Sequence, residues 1–206
     1  MDIELNQQNA VKGAGVWHHQ SFGPTAFAEA SSNIAVSAAV SGLPPTLTWN
    51  GSAGTSDEAS LAFTLPPNFK RQKDRSNAKI YAEVSVANVS INGIASNDDI
   101  EVDLKFAFYP PKGSSESIIA GSYIGTRISA ATNLDPTAGG FLTTYRVDAL
   151  ASLTAAQKLL LDAGWTMYMY VRPDQSTTTN VGMLLGSARI SYLGHLDYSP
   201  TLTTLA

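Results

Sequence analysis

Residues 99–111, DIEVDLKFAFYPP, decide the fold. Val102, Leu104, Phe106 and Phe108 alternate with Glu101, Asp103, Lys105 and Tyr109. A two-residue period belongs to a strand, so one face must meet a core and the other water. The twin prolines Pro110 and Pro111 offer no ladder donor and stop the strand there.

The same rhythm recurs on both sides of this stretch. In AKIYAEVSVANV (78–89), Ile80, Ala82, Val84 and Val86 alternate with Tyr81, Glu83, Ser85 and Ala87, and ASLAFTL (59–65) runs into Pro66 and Pro67. Further strands are expected over 117–129, 141–149, 165–172 and 181–193, separated by turn-rich NGIASNDD, PPKGSS, LDPTAGG and PDQSTTTN. Only one convincing helix is available as a crossover. The expected fold is therefore all-β, an antiparallel β-sandwich, jelly-roll-like, with one short helix near 153–163.

That helix has Ser152 or Thr154 as a cap, an apolar stripe of Leu153, Leu159, Leu160 and Leu161, and Gly164 where a left-handed residue is wanted. Lys158 and Asp162 form an i,i+4 pair, and nothing reactive stands on the polar face. It reads as a lid over one end of the sandwich, stabilised by packing because so short a helix is marginal alone. The following strand places Trp165, Met167, Met169 and Val171 on one side and Tyr168 and Tyr170 on the other. This predicts burial on both faces, in a core or a subunit interface. Trp165, Tyr168 and Tyr170, with Trp49, are also candidate platforms for stacking sugar rings.

At 206 residues the chain fits one large β domain. Residues 1–55 hold only four charged side chains, so an N-terminal arm is assigned to 1–25 and a single sandwich domain to 26–206. Charged residues make up 15% of the chain and net charge is -4, which excludes a disordered polyelectrolyte and any general pull toward nucleic acid or anionic membrane. There is no cysteine, which removes disulfides, thiolate metal sites and a thiol nucleophile. The opening MDIELNQQNAVKGAGVW has acids where a signal peptide needs bases, and no stretch approaches the roughly 18–20 apolar residues of a membrane span. The expectation is synthesis in a cytoplasm, no membrane partner, and departure, if any, as part of something larger.

Catalytic motifs are missing. Gly121-Ser122-Tyr123-Ile124-Gly125 has the wrong spacing for a nucleophile elbow, and Gly13-Ala14-Gly15 lacks the third glycine of a dinucleotide turn. His18 and His19 are adjacent, and on a strand they face opposite ways; His195 stands apart. No histidine metal site, cofactor or enzymatic activity is expected. Asp99, Glu101 and Asp103 share a strand face and are a weak Ca²⁺ candidate, against the plainer expectation of a solvated face neutralised by Lys105 and a neighbouring strand. In PPNFKRQKDRSNAK (66–79), Lys70, Arg71, Lys73, Arg75 and Lys79 gather five of the thirteen basic residues into ten positions. This is either a solvated loop or a contact for an acidic partner. With only Phe69 and Tyr81 as stacking aromatics, a protein fits it better than nucleic acid.

Taken together, FTLPPNFKRQKDRSNAKIYAEVSV, EVDLKFAFYP and LTAAQKLLLDAGWTMYMYVRPD with NVGMLLGSARISYL resemble the jelly-roll structural proteins of tailed bacteriophages, the capsid decoration, knob and fibre-like modules. The resemblance spans residues 60–193 as a pattern and equally describes a carbohydrate-binding sandwich. It implies a non-enzymatic virion protein, a homotrimer that attaches to a capsid or tail protein, with residues 1–25 as anchor and the 70–79 loop as contact. The alternative is a carbohydrate-binding module for host or glycan recognition.

Overall fold

The structure, a computed structural model, describes residues 16–29, 33–37, 45–49, 57–69, 79–88, 100–128, 143–174 and 183–194. Lys70, Arg71, Lys73, Arg75, Asp99 and His195 lie outside these residues, as do residues 1–15 of the expected arm. Among the described residues the strands are β1 (Val16–Phe22), β2 (Ala28–Glu29), β3 (Ile34–Ser37), β4 (Thr46–Trp49), β5 (Ala59–Thr64), β6 (Ile80–Asn88), β7 (Ile100–Tyr109), β8 (Ile119–Ala120), β9 (Ile124–Ile128), β10 (Thr143–Asp148), β11 (Thr166–Asp174) and β12 (Met183–Gly194), with one α-helix, α1 (Ala155–Leu160), before β11 and a single 3-10 turn at Pro24–Ala26.

These strands form two six-stranded antiparallel sheets. The first has the order β10-β6-β12-β4-β3, with β1 also pairing β12, and the second β2-β5-β11-β7-β8, with β9 also pairing β7. β1 and β12 come from opposite ends of the chain, so the first sheet cannot be complete until almost all of it has been made. The sequence expectation of a jelly-roll-like sandwich holds.

Alternation dictates which face each strand buries. Val102, Leu104, Phe106 and Phe108 of β7, Ile80, Ala82, Val84 and Val86 of β6, and Met167, Met169 and Val171 of β11 all lie in one core between the sheets. Each large apolar side chain removed from water there contributes about 1.5–3 kcal/mol before chain entropy is set against it. β12 needs one further device. Met183 and Leu185 point inward at odd positions, whereas Ala188, Ile190 and Tyr192 point inward at even ones. A bulge between Leu185 and Ser187 absorbs the change of parity and keeps both halves of this strand apolar on the core side.

Three expectations are corrected. Residues 16–22, assigned to the arm, are a strand of the first sheet, so deleting residues 1–25 would remove part of the sandwich itself. The segment 117–129 is two strands, β8 and β9, interrupted at residues 121–123. The helix is shorter than expected and buries none of its own residues. Leu153 before it and Leu161 after it enter the core, while Leu159 and Leu160 are exposed, because α1 is pinned at its two flanks rather than along a face. Its cap is Thr154: the side chain accepts from the Gln157 amide, and the Gln157 side chain accepts from the Thr154 amide. Gly164 has φ +83, the left-handed value, and its amide donates to the Leu65 carbonyl at 2.8 Å. It thus turns the chain into β11 and ties this turn to the end of β5.

Candidate functional site

The outer face of the second sheet carries the candidate site. Strand parity sends Tyr168, Tyr170 and Arg172 of β11, and Asp103, Lys105 and Tyr109 of β7, away from the core. Register then sets them in rows across the sheet. Thr64, Thr166 and Tyr109 form one row; Ala62, Tyr168, Ala107 and Ala120 the next; Ser60, Tyr170 and Lys105 the third. In the middle row Tyr168 rises among three alanines, so its ring has low ground on both sides.

The aromatic rings hold one another in place. Tyr168 meets Tyr109 edge-on at a centroid distance of 5.1 Å and Tyr170 near-parallel at 6.3 Å. Lys105 Nζ lies 4.5 Å from the ring centroid of Tyr123 and 4.6 Å from that of Tyr170, and donates to the Tyr123 hydroxyl at 3.0 Å. The Arg172 guanidinium covers Tyr123 at 3.7 Å. Burial pushes the Tyr170 hydroxyl up to about 12, and its hydrogen bond to the Tyr109 side chain, made by the protonated form, adds to the shift. It is therefore a neutral hydroxyl throughout the physiological range.

Lys105 and Arg172 are both matched. Lys105 Nζ pairs with Glu58 at 3.4 Å. Arg172 donates from Nε at 3.1 Å and Nη2 at 3.0 Å to Asp103 Oδ2, with side-chain exposures of 19% and 8%. The surface that results is hydroxylated, aromatic and electrically neutral among the described residues.

Of the sequence candidates, Tyr168 and Tyr170 come together here as half-buried residues of an outer face. Trp165 does not join them. It is 3% exposed in the core, one residue before β11, and Trp49 is fully buried with its indole N–H donating to the Asp57 carbonyl at 2.9 Å. Neither ring can reach a sugar. Of the Ca²⁺ candidate, Asp103 is taken up by Arg172, while Asp99 and the Glu101 side chain lie outside the described residues. The neighbouring strand supplies the countercharge of Asp103, but Lys105 serves Glu58 and Asp103 is buried, so at this position the face is not the solvated one of the plainer expectation. Lys79, the one described member of the basic loop, pairs with Asp148 at 3.3 Å, which raises its pKa. His18 stacks inward on Tyr192 while His19 faces outward and bonds Ser191, on opposite faces as adjacent strand positions require.

Tyr109, Tyr123, Glu58 and Arg172 were not anticipated as site residues. Parity alone placed Tyr109 on the outer face of β7; Tyr123 had no signal, because it sits in the break between β8 and β9.

No family model matches this chain, and no curated protein does. Among solved structures it is similar to the CBM22-1 and GH10 modules of Clostridium thermocellum endo-1,4-beta-D-xylanase 10B complexed with xylohexaose, at 10% identity and TM-score 0.46 over 88% of this chain and 29% of that one. It is similar also to the CBM22-1–CBM22-2 tandem domain of Paenibacillus barcinonensis Xyn10C, at 14% identity and TM-score 0.47 over 92% of this chain and 48% of that one. A third is infectious bursal disease virus Gx strain, at 8% identity and TM-score 0.38 over 89% and 34%. The chain spans less than half the length of each. Its fold assignment stands on its own sheets and their register.

Proposed function

We propose that this protein is a non-catalytic carbohydrate-binding module that takes a neutral glycan on the tyrosine face of its second sheet. The observation carrying this reading is the Tyr109–Tyr168–Tyr170 cluster, which steps across three adjacent rows beside Ser60, Thr64 and Thr166, with Lys105 and Arg172 already paired. A sugar ring offers an apolar face of C–H groups and a rim of hydroxyls. The phenol faces match the first, and the phenol, serine and threonine hydroxyls match the second. An anionic partner is disfavoured because Lys105 and Arg172 have no spare charge to offer. The contact of Lys105 with Tyr170 and the mutual packing of the three rings lower the entropy lost when a ligand settles on them.

The test is a glycan array followed by titration calorimetry with the best neutral oligosaccharide. Tyr168→Ala is expected to weaken binding roughly tenfold, the loss of one stacked ring. Tyr123→Phe should weaken it little, since that hydroxyl is engaged with Lys105. An array without neutral glycan hits, or equal affinity for the Tyr168→Ala protein, refutes the reading.

A second reading, self-association as in a virion subunit, is favoured by one observation: Leu159 and Leu160 of α1 are both exposed. Light scattering decides it. A chain that remains a monomer at high concentration removes it, and an oligomer dispersed by Leu159→Lys supports it.

A further inference from the structure

The outer face of the first sheet holds a second and differently built hollow. Register sets Thr144, Ser85 and Ser187 in one row across β10, β6 and β12, and Arg146, Glu83, Arg189 and Ser21 in the next, which reaches β1. Between these rows lies a cavity of about 260 Å³, lined by Ser21, Glu83, Ser85, Thr144, Ser187 and Arg189. The bulge in β12 falls at its wall, where Ser187 takes the outward place that strict alternation from Leu185 would have denied it.

Charge on this face is not balanced. The Glu83 side chain is 9% exposed and accepts from two arginines, Arg189 through Nε at 2.7 Å and through Nη2, and Arg146 through Nε at 3.4 Å. Arg146 also lies 3.8 Å over the Tyr81 ring, and Lys79 is taken up by Asp148. Three cations thus face two carboxylates among the described residues, leaving one positive charge. Each guanidinium has five N–H donors, and one carboxylate shared by two of them cannot use them all. Glu83 therefore acts as a strut that fixes the guanidiniums from behind, while the Arg189 side chain, 49% exposed, keeps donors turned to water at the edge of the hollow. Beside them, the Ser85 and Thr144 hydroxyls lie 3.2 Å apart, with those of Ser21 and Ser187 on the far side.

We propose that this hollow is a second binding site, for a single sugar ring bearing a carboxylate. The spare guanidinium donors take the carboxylate and the four hydroxyls take the ring's own. The volume sets the size, since it falls below the roughly 300 Å³ at which sites for drug-sized ligands begin. This site is on the opposite sheet from the tyrosine face and does not depend on that reading.

The experiment is amide NMR of the full chain titrated with glucuronate, with glucose, and with acetate. Saturable shifts are expected at Ser85, Thr144, Ser187 and Arg189 with glucuronate, and binding at least about tenfold weaker with glucose or acetate, each of which offers only half of the recognition. Arg189→Gln should reduce glucuronate binding to the level of glucose. Because that change disturbs a buried carboxylate, Thr144→Ala at an exposed position is the second variant, expected to weaken glucuronate severalfold and leave acetate unaltered. Tyr168→Ala should leave glucuronate binding intact even where it abolishes binding of neutral glycans. No saturable glucuronate response, a response matched by glucose or by acetate, or one indifferent to both variants overturns the proposal.

Discussion

Replacing Asp103 by Asn isolates its contact with Arg172. The substitution keeps the shape of the side chain and removes its charge, leaving the Arg172 guanidinium with a weak neutral acceptor where two charged hydrogen bonds ended. Breaking a buried ion pair from one side costs about 3–5 kcal/mol. Two features reduce this here. The Arg172 side chain is 19% exposed and so keeps some water, and its contact with the Tyr123 ring at 3.7 Å survives the change. The expected loss is about 2–3 kcal/mol, read from urea unfolding monitored by tryptophan fluorescence. At roughly 2–4 °C per kcal/mol for a domain of this size, the melting temperature should fall by about 5–10 °C. The double replacement Asp103→Leu with Arg172→Met should cost less than Asp103→Asn alone, because no charge is then stranded. A loss below about 1 kcal/mol, the range of exposed pairs, refutes the account of Asp103 as a buried anion held by Arg172. An unfolding midpoint of the unaltered protein that falls with chelator would refute it from the other side, by returning Asp103 to a metal.

Three further expectations follow from particular groups. The Tyr170 hydroxyl, normally near 10.0 and raised to about 12 in the folded protein, favours the native state below pH 10. That contribution is lost as pH climbs through 12, so unfolding midpoints should fall across this window, and one tyrosine should ionise late in an ultraviolet titration. In Tyr170→Phe the decline across the same window should be shallower. Removing the cap with Thr154→Ala should cost about 1 kcal/mol in thermal or urea unfolding, since the Gln157 amide loses its side-chain acceptor. Gly164→Ala should cost at least about 1 kcal/mol by the same measurement, because φ +83 is strained for any residue with a Cβ; an unchanged midpoint would mean that the turn relaxes freely.

The β character and the inward faces of the strands were legible in the chain because they depend on a local property. A period of two fixes which residues share a face, so the cores of β6, β7 and β11 could be written down from spacing alone. The cap at Thr154 and the left-handed Gly164 were likewise local, each set by residue type within a few positions. Where local signals break down, so did the sequence expectations. Nothing in residues 117–129 marks the interruption at 121–123, and the leucines of 153–161 gave no sign that the two flanking the helix would be buried and Leu159 and Leu160 left outside.

What only the tertiary structure decided is which side chains become neighbours. Trp165 and Tyr168 are three residues apart and both aromatic, yet one is in the core and the other on the outer face, because parity separates them and the first sheet covers only one side of the second. Asp103 and Arg172 are 69 positions apart, and Glu83 and Arg189 are 106 apart. Those pairs exist because β7 lies beside β11, and β6 beside β12, in one register; a shift of a single residue would turn every one of these side chains to the opposite face. Strand pairing between distant segments is set by the packing of the whole core, and no short stretch of sequence contains it. The chain by itself therefore determined that there would be a sandwich with polar outer faces. The packing of its two sheets determined that one of those faces would carry a cluster of tyrosines with paired cations and the other a hydroxyl-lined hollow beside two arginines.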